Sequence, residues 1–438
     1  MKLKTIVLVL IFRTSLGSES VSLYNKYFEQ LNSQNTDLLL QKKKIEKVQS
    51  LIEKKKNLIV SPFSLNFSVK KGNQIQPLNL SLNQPSIEQI VKEYTIGISK
   101  VIDLLNTQSS EKEIYEIQKT IENQYLDLLQ KQIKNQFRQS YFLAIFLLYI
   151  RDHLEEHIIT FKELKKRFQN QYFDKRLGNY TVAALEMGIT TLQAEYNEMN
   201  SLYLKELEIL NTLLNQENQN LKFDHYETIL NHIPKSLDIS KEELKNQFED
   251  SLFYKIEKSK LLLEEKKYLL EKKQIWNQLE FFLNYGIRNL GRYERFVYDV
   301  ANPEEEKYWI FGFKIPLAYG SELQYNPLIQ KKEIEIQTLK LKKMELELKN
   351  QISTNYDVFE KEYHQLKANL EILKKYKPLL EKLEDSLKSR RITYFEYWGE
   401  HERYHNLMRI SVSFLNNSIE ALSSLEYFTG KSFFKETL

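Results

Sequence analysis

His401-Glu402-Arg403-Tyr404-His405 sets two imidazoles one helical turn apart, with a carboxylate beside the first. On a helix, this H-E-x-x-H spacing puts both rings on one face. In metallopeptidases such a pair binds zinc and the glutamate acts as base. Asn416-x-x-x-Glu420 offers a later carboxylate as a third ligand. The pattern fixes only three letters, however, and arises easily in a chain this rich in Glu. No strand or cleft motif flanks it. His153 and His157 repeat the four-residue spacing with no glutamate next to the first ring. Two-histidine sites for a transported metal are the most these pairs offer. We therefore assign no metal ligand, no cofactor and no catalytic residue. A zinc peptidase built on His401, Glu402 and His405 is kept as an alternative.

Other chemistry is excluded more directly. The chain has no cysteine. That removes disulfides, thiolate metal sites, a Cys nucleophile and a lipidated N-terminal Cys. There is no glycine loop to cradle phosphate and no nucleophile elbow. Lysine runs such as Lys42-Lys43-Lys44 and Lys54-Lys55-Lys56 lack interleaved aromatics and read as solvated helix faces. The formal net charge is +4. Three of the cations, Lys2, Lys4 and Arg13, fall in a segment expected to be removed. No electrostatic case for nucleic acid remains. The removable segment is residues 1–17: a basic start, an apolar run from Ile6 to Phe12, and small residues flanking Leu16.

The elements that would position any site are mostly helical. Glycine and proline number only 11 and 8 in 438 residues, and Lys, Glu, Leu, Gln and Ile dominate, as in long helices and coiled coils. Leu31, Leu38, Ile45, Val48 and Ile52 mark a helix from Ser22 to Lys56. The period then changes to two. Phe63, Leu65, Phe67 and Val69 share one face of a strand over about 59–70, with Ser64, Asn66, Ser68 and Lys70 on the other. A loop with Gly72, Pro77 and Pro85 leads to a strand over about 92–104, carrying Ile96 and Ile98. Ser110-x-x-Glu113 reads as a capping box opening a helical hairpin over about 110–218, punctuated at Gly178 and Asn179. Its first arm, roughly 60 residues, would be on the order of 90 Å long. A linker spans 219–240, and Ser240-x-x-Glu243 reads as another capping box.

The program then repeats over 241–430. A helix over about 241–275 precedes a strand at about 278–289, with Phe281, Leu283, Tyr285 and Ile287 on one face. A loop with Gly291, Pro303 and three glutamates leads to a strand at 308–317, carrying Phe311 and Phe313. A helical hairpin over about 327–430 and a tail at 431–438 complete the chain. Tyr94-Thr-Ile-Gly-Ile-Ser-Lys-Val-Ile102 aligns with Trp309-Ile-Phe-Gly-Phe-Lys-Ile-Pro-Leu317, so Gly97 falls on Gly312. This duplication is the most informative feature of the sequence. It gives two strands per half. Four strands cannot close a useful barrel, but copies sharing strands can, and closure removes exposed edges.

This arrangement resembles the TolC-like outer-membrane efflux protein family over most of the chain after residue 20. The resemblance rests on the apolar-Pro-Leu step ending Trp309–Leu317, the long helix after Tyr325, the turn into Ile392-Thr-Tyr-Phe-Glu-Tyr-Trp398, the terminal Leu425-Glu-Tyr-Phe-Thr-Gly430, and Leu177-Gly-Asn-Tyr-Thr-Val-Ala-Ala-Leu185 in the first half. Arg390 and Arg391 depart from it, standing where the second turn usually carries glycine. The resemblance implies a mainly α chain with a small β part and long coiled-coil helices. Its four strands would join a shared 12-stranded trimeric barrel in the outer membrane, above a periplasmic helical cylinder. It implies a homotrimer, a periplasmic adaptor, an inner-membrane pump and contact with lipid, and no enzymatic chemistry. Phe63, Leu65, Phe67, Val69, Ile96, Ile98, Phe281, Leu283, Tyr285, Ile287, Phe311 and Phe313 would face lipid. Glu396 matches a position where some members carry an acidic residue at the periplasmic constriction; the second acidic position, one turn on, reads Gly399 here, and Glu400 could substitute only on a rotated face. Thr393-x-x-Glu396 is also a capping box, so the carboxylate has a local role available. A periplasmic coiled-coil adaptor is the other alternative; an adaptor would show a lipoyl-like β domain between its helices, and this sequence has only paired strands in each half.

Overall fold

The computed structural model describes residues 23–57, 64–76, 87–102, 105–171, 175–217, 220–224, 233–274, 279–293, 304–314, 321–389 and 391–434. Phe63, Arg390 and the expected signal segment lie outside these residues. The element order is α1 (Leu23–Gln34), α2 (Thr36–Asn57), β1 (Ser64–Gln76), β2 (Ile87–Ile102), α3 (Thr107–Gln171), α4 (Lys175–Leu213), α5 (Lys241–Asn246), a 3-10 turn (Gln247–Asp250), α6 (Leu252–Gln274), β3 (Leu279–Tyr293), β4 (Glu304–Lys314), α7 (Ser321–Lys388) and α8 (Tyr394–Thr429). Helices, two strands, then a helical pair occur twice. The chain forms two compact units, each drawing on both halves of the sequence.

The first unit comprises residues up to 43, 124–256 and 342–438. Its helices are long because seams of buried residues recur at heptad spacing. In α7 the seam is Ile352, Phe359, Leu366, Leu373, Leu380 and Leu387, all buried. In α8 two interleaved series run through Tyr394, His401, Met408, Leu415 and Leu422, and through Tyr397, Tyr404, Ser411, Ser418 and Leu425. A strict seven-residue period keeps one stripe facing the partner helix, as in coiled coils. Ser411 and Ser418 fit the seam because their hydroxyls donate to the carbonyls of Leu407 and Phe414, one turn back. Phe137, Tyr141, Phe161, Leu154, Leu185 and Leu192 from α3 and α4 complete the core.

Helix ends differ from the sequence expectations where a side chain supplies a cap that periodicity cannot reveal. The first helix divides at buried Asn35, whose Oδ1 accepts from the N–H groups of Asp37 and Leu38 and whose Nδ2 donates to the Leu213 carbonyl. One side chain thus satisfies orphan groups of two helices. α4 starts at Lys175, so Gly178 and Asn179 lie in its first turns instead of breaking it. It ends on Asn215 in the left-handed region, with Asn215 N–H to Thr212 and Gln216 N–H to Asn211 closing a Schellman motif. Ser240 does cap α5, accepting from Glu243 N–H. The helix expected over 241–275 is interrupted by the 3-10 turn, where Leu244 and Phe248 enter a small cluster with Leu348, Ile352 and Leu425.

The second unit comprises residues 44–123 and 257–341. Its helical segments are tied by side chains. Lys55 pairs with Glu111 and Lys266 with Glu113 (2.8 Å), and Lys273 donates to Ser110 (2.8 Å). Ser110 is therefore not a cap, because α3 starts three residues earlier at Thr107. α7 likewise begins at Ser321, which places Pro327 inside it instead of at its start.

The same unit carries a four-stranded antiparallel sheet in the order β1-β2-β3-β4. Its strands outrun the expected ones. Gly72 pairs with Val91 in β1, Gly291 with Ile90 in β3, and Glu304–Glu306 belong to β4. Period-two hydrophobicity fades there, and backbone pairing alone continues the strands.

Candidate functional site

The sheet is built from residues whose alternation stays in phase across all four strands. Leu65 lies opposite Ile98, which lies opposite Leu283, which lies opposite Phe311. The next row is Phe67, Ile96, Tyr285 and Trp309. Phe281 and Phe313 extend one end, and Val69, Tyr94 and Ile287 the other. Because the side-chain period is two, a slip of one residue in any strand would break these rows. The rows hold in register, and they are exposed: Phe311 is 83%, and Leu65 and Phe67 each 71%, accessible. Tyr285 and Ile287 are half-buried.

The opposite face is mostly polar and internally bonded, with Phe282 and exposed Ile310 as apolar members. Asn66 donates to Ser99, the hydroxyls of Ser68 and Thr95 meet at 2.5 Å, and Tyr308 donates to Glu93. Its glycines admit large neighbours. A Cβ on Gly97 would fall 1.7 Å from Asn284 Oδ1, and one on Gly286 would strike the Tyr308 ring. Phe282 covers Gly312 in the same way, so cross-strand aromatics shield backbone that glycine leaves bare. β1 and β4 form the outer edges, and among the described residues neither pairs further.

Soluble sheets bury an apolar face against another layer and blunt their edges. This sheet keeps a wide apolar face open and both edges free. The duplicated helix–strand–strand–helix–helix order therefore calls for comparison with chains of the same path.

No family model and no curated protein matches the sequence. Solved structures do match. The outer-membrane channel OprN aligns with a TM-score of 0.69 at 11% identity, over 94% of this chain and 90% of its own. The CmeC outer membrane channel of Campylobacter jejuni aligns at 0.66 and 12% identity, over 95% and 87%. The MtrE outer membrane channel of Neisseria gonorrhoeae, in its open state, aligns at 0.64 and 12%, over 94% and 89%. The chain has the fold of these outer-membrane channels. The likeness runs through nearly the whole path while few residues are shared.

The first two turns of α8 hold Glu396 and Glu400, the residues expected at a constriction. Thr393 caps α8, and the capping box is complete: Thr393 Oγ1 accepts from Glu396 N–H, and the Glu396 carboxylate accepts from Thr393 N–H at 2.7 Å and its hydroxyl at 2.9 Å. Both of the latter bonds fall on Oε2, and the side chain is exposed. The Thr393 N–H, then its hydroxyl, hold the Glu396 carboxyl below the usual carboxylate range. Glu400 is half-buried. It accepts from Tyr376 and, at 2.7 Å, from Arg403, so its charge is locally matched.

His401 and His405 point into the core, whereas Glu402 is exposed. Glu420 is no third ligand to them. It lies fifteen residues beyond His405 on the same helix, about 22 Å along the axis at 1.5 Å per residue. Asn416 is held by Gln139 at 2.8 Å. Instead, the structure brings the two histidine pairs together. The sequence carried a signal for this: His401 falls in the heptad seam of α8, where a side chain must face a partner helix.

Sequence spacing also missed a buried ion pair. Arg138 and Glu426 meet at 2.9 Å, and Glu426 also accepts from the N–H groups of Phe433 and Phe434. It thereby ties the segment after α8 onto α3.

Proposed function

We propose that this chain is one protomer of an outer-membrane channel that carries cargo from periplasm to exterior. It would work within a tripartite efflux or type I secretion machine, docked to a periplasmic adaptor and an inner-membrane pump. One observation carries the reading. The sheet has an apolar exposed face continuous over four strands, a hydrogen-bonded polar face behind it and two open edges. In water these features invite aggregation. In a bilayer they are what a barrel needs, because every backbone group must be paired and the lipid side must be apolar. Four strands are too few to enclose a pore, so a homotrimer sharing twelve strands is the inferred assembly. Leu65, Phe67, Val69, Ile96, Ile98 and their row partners then face lipid, and Asn66, Thr95 and Asn284 face the lumen. A periplasmic adaptor would leave the apolar face in water. Glu396 supplies the acidic ring at the periplasmic opening, which attracts cations and repels anions.

The test is oligomer migration and conductance. The detergent-extracted membrane fraction should run as a trimer-sized band that collapses on heating, and the purified species should open discrete pores in planar bilayers. A soluble, pore-inactive monomer would overturn the reading.

A further inference from the structure

α3 carries His153 and His157, and α8 carries His401 and His405. The four rings converge inside the first unit. His401 is fully buried and His405 nearly so. One nitrogen each of His153, His157 and His405 lies within 4.8 Å of the others. We propose that these four imidazoles form a binding site for one divalent transition-metal ion of the zinc class, clamping α3 to α8.

The contacts among the ring nitrogens make the first argument. His157 Nδ1, His401 Nε2 and His405 Nε2 all touch one another, the last two at 3.2 Å and His157 to His405 at 3.4 Å. A nitrogen–nitrogen hydrogen bond needs one proton between the two atoms. Among three mutually touching nitrogens, at least two must have the same protonation state. At least one contact therefore sets lone pair against lone pair, or proton against proton, in every tautomer. A cation between the rings accepts all three lone pairs and removes the conflict.

Two of the three spacings agree with this. Zinc–nitrogen bonds of about 2.0–2.1 Å in a tetrahedron give nitrogen–nitrogen edges of about 3.3–3.4 Å, close to the 3.2 and 3.4 Å that His405 makes with His401 and His157; His157 and His401 stand closer than such an edge and must part to admit the ion. His153 supplies the fourth ligand: its Nε2 is buried with no hydrogen-bond partner. Its Nδ1 lies 4.0 Å from the exposed Glu156 carboxylate, beyond hydrogen-bond reach. Trp398 stacks on His401 and Tyr149 on His153. A cavity of about 170 Å³ reaches it past Glu156, Glu381 and Glu384, with Lys377 opposing them. Lys388 already pairs with Glu384 at 2.6 Å.

Four protein nitrogens leave no open position, so the site is a structural clamp and not a hydrolytic centre. An all-imidazole shell selects zinc, nickel or copper over magnesium or calcium. The site does not depend on the channel reading, and its test needs no pore.

Untagged full-length protein, stripped with chelator in detergent, is titrated with Zn2+ and separately with Co2+. One equivalent per protomer, intense visible absorption from four-coordinate Co2+, and a rise in Tm with Zn2+ but not Mg2+ are expected. His157→Asn and His405→Asn should abolish stoichiometric uptake, while His364→Asn, on the exposed face of α7, should retain it. Uptake below one-tenth of an equivalent, a weak octahedral Co2+ spectrum, or equal loss in His364→Asn would overturn the site. Should the core variants fail to fold, the wild-type Co2+ spectrum still decides.

Discussion

Arg138 and Glu426 are 2% and 7% accessible, and their pairing governs how the residues after α8 lie. Burial, the largest influence, disfavours the Arg138 charge, but the Glu426 carboxylate and the Tyr24 hydroxyl together outweigh it and raise the pKa. The Phe434 ring covers the guanidinium at 3.7 Å. Removing one partner strands a buried charge, at a cost of about 3–5 kcal/mol. Glu426→Gln is therefore expected to lower the denaturant midpoint strongly, and Arg138→Met with Glu426→Leu to recover much of the loss. Midpoints that stay within error of wild type would refute this. Glu396 answers to pH. Its lowered folded pKa means that the folded chain binds fewer protons than the unfolded one. The cap's contribution is complete above the usual carboxylate value of 4.5 and is lost as pH falls through the lowered value. Cation preference of the pore should likewise survive below pH 4.5. Glu396→Gln keeps a capping-box residue and should reduce that preference at neutral pH. Equal permeability ratios would leave Glu396 as a cap only.

At the scale of elements, ends matter more than interiors, because heptad seams already hold the interiors. Asn35 caps α2 and also satisfies the last turn of α4. Asn35→Ala should destabilise the chain by about 2 kcal/mol, the upper end for a lost cap, as read from thermal unfolding. A change too small to measure would mean that water replaces both bonds. Gly430 closes α8 at φ +75°, and a Cβ there would meet the Asp250 carbonyl oxygen at 2.7 Å. Gly430→Ala adds left-handed strain to that collision, so a cost of about 1–2 kcal/mol from the strain alone is a lower bound.

For the whole molecule, the prediction concerns assembly. An arginine on the lipid face of a barrel costs about 2–4 kcal/mol near the midplane, and little on the lumen side. Phe311→Arg should therefore reduce the heat-sensitive oligomer in the outer-membrane fraction. Ser68→Arg, on the polar face of the same sheet, should not. Equal yields from the two variants would mean that the apolar face meets something other than lipid.

Periodicity in the sequence determined the helix and strand types, the duplicated order and the apolar strand faces from Leu65 to Phe313, because burial on one side leaves a regular imprint along the chain. It also marked the Thr393–Glu396 box, whose two partners are only three residues apart. It did not determine the breaks at Asn35 and in residues 247–250, the strand extensions through Gly72 and Glu304–Glu306, the Arg138–Glu426 pair, or the meeting of His153 and His157 with His401 and His405. Apart from the cap bonds that Asn35 makes to Asp37 and Leu38, these depend on partners distant in sequence, which no local pattern records. Packing of α3 against α8 brings side chains some 250 residues apart within bonding distance, and only the tertiary structure decided which polar groups would share that interior.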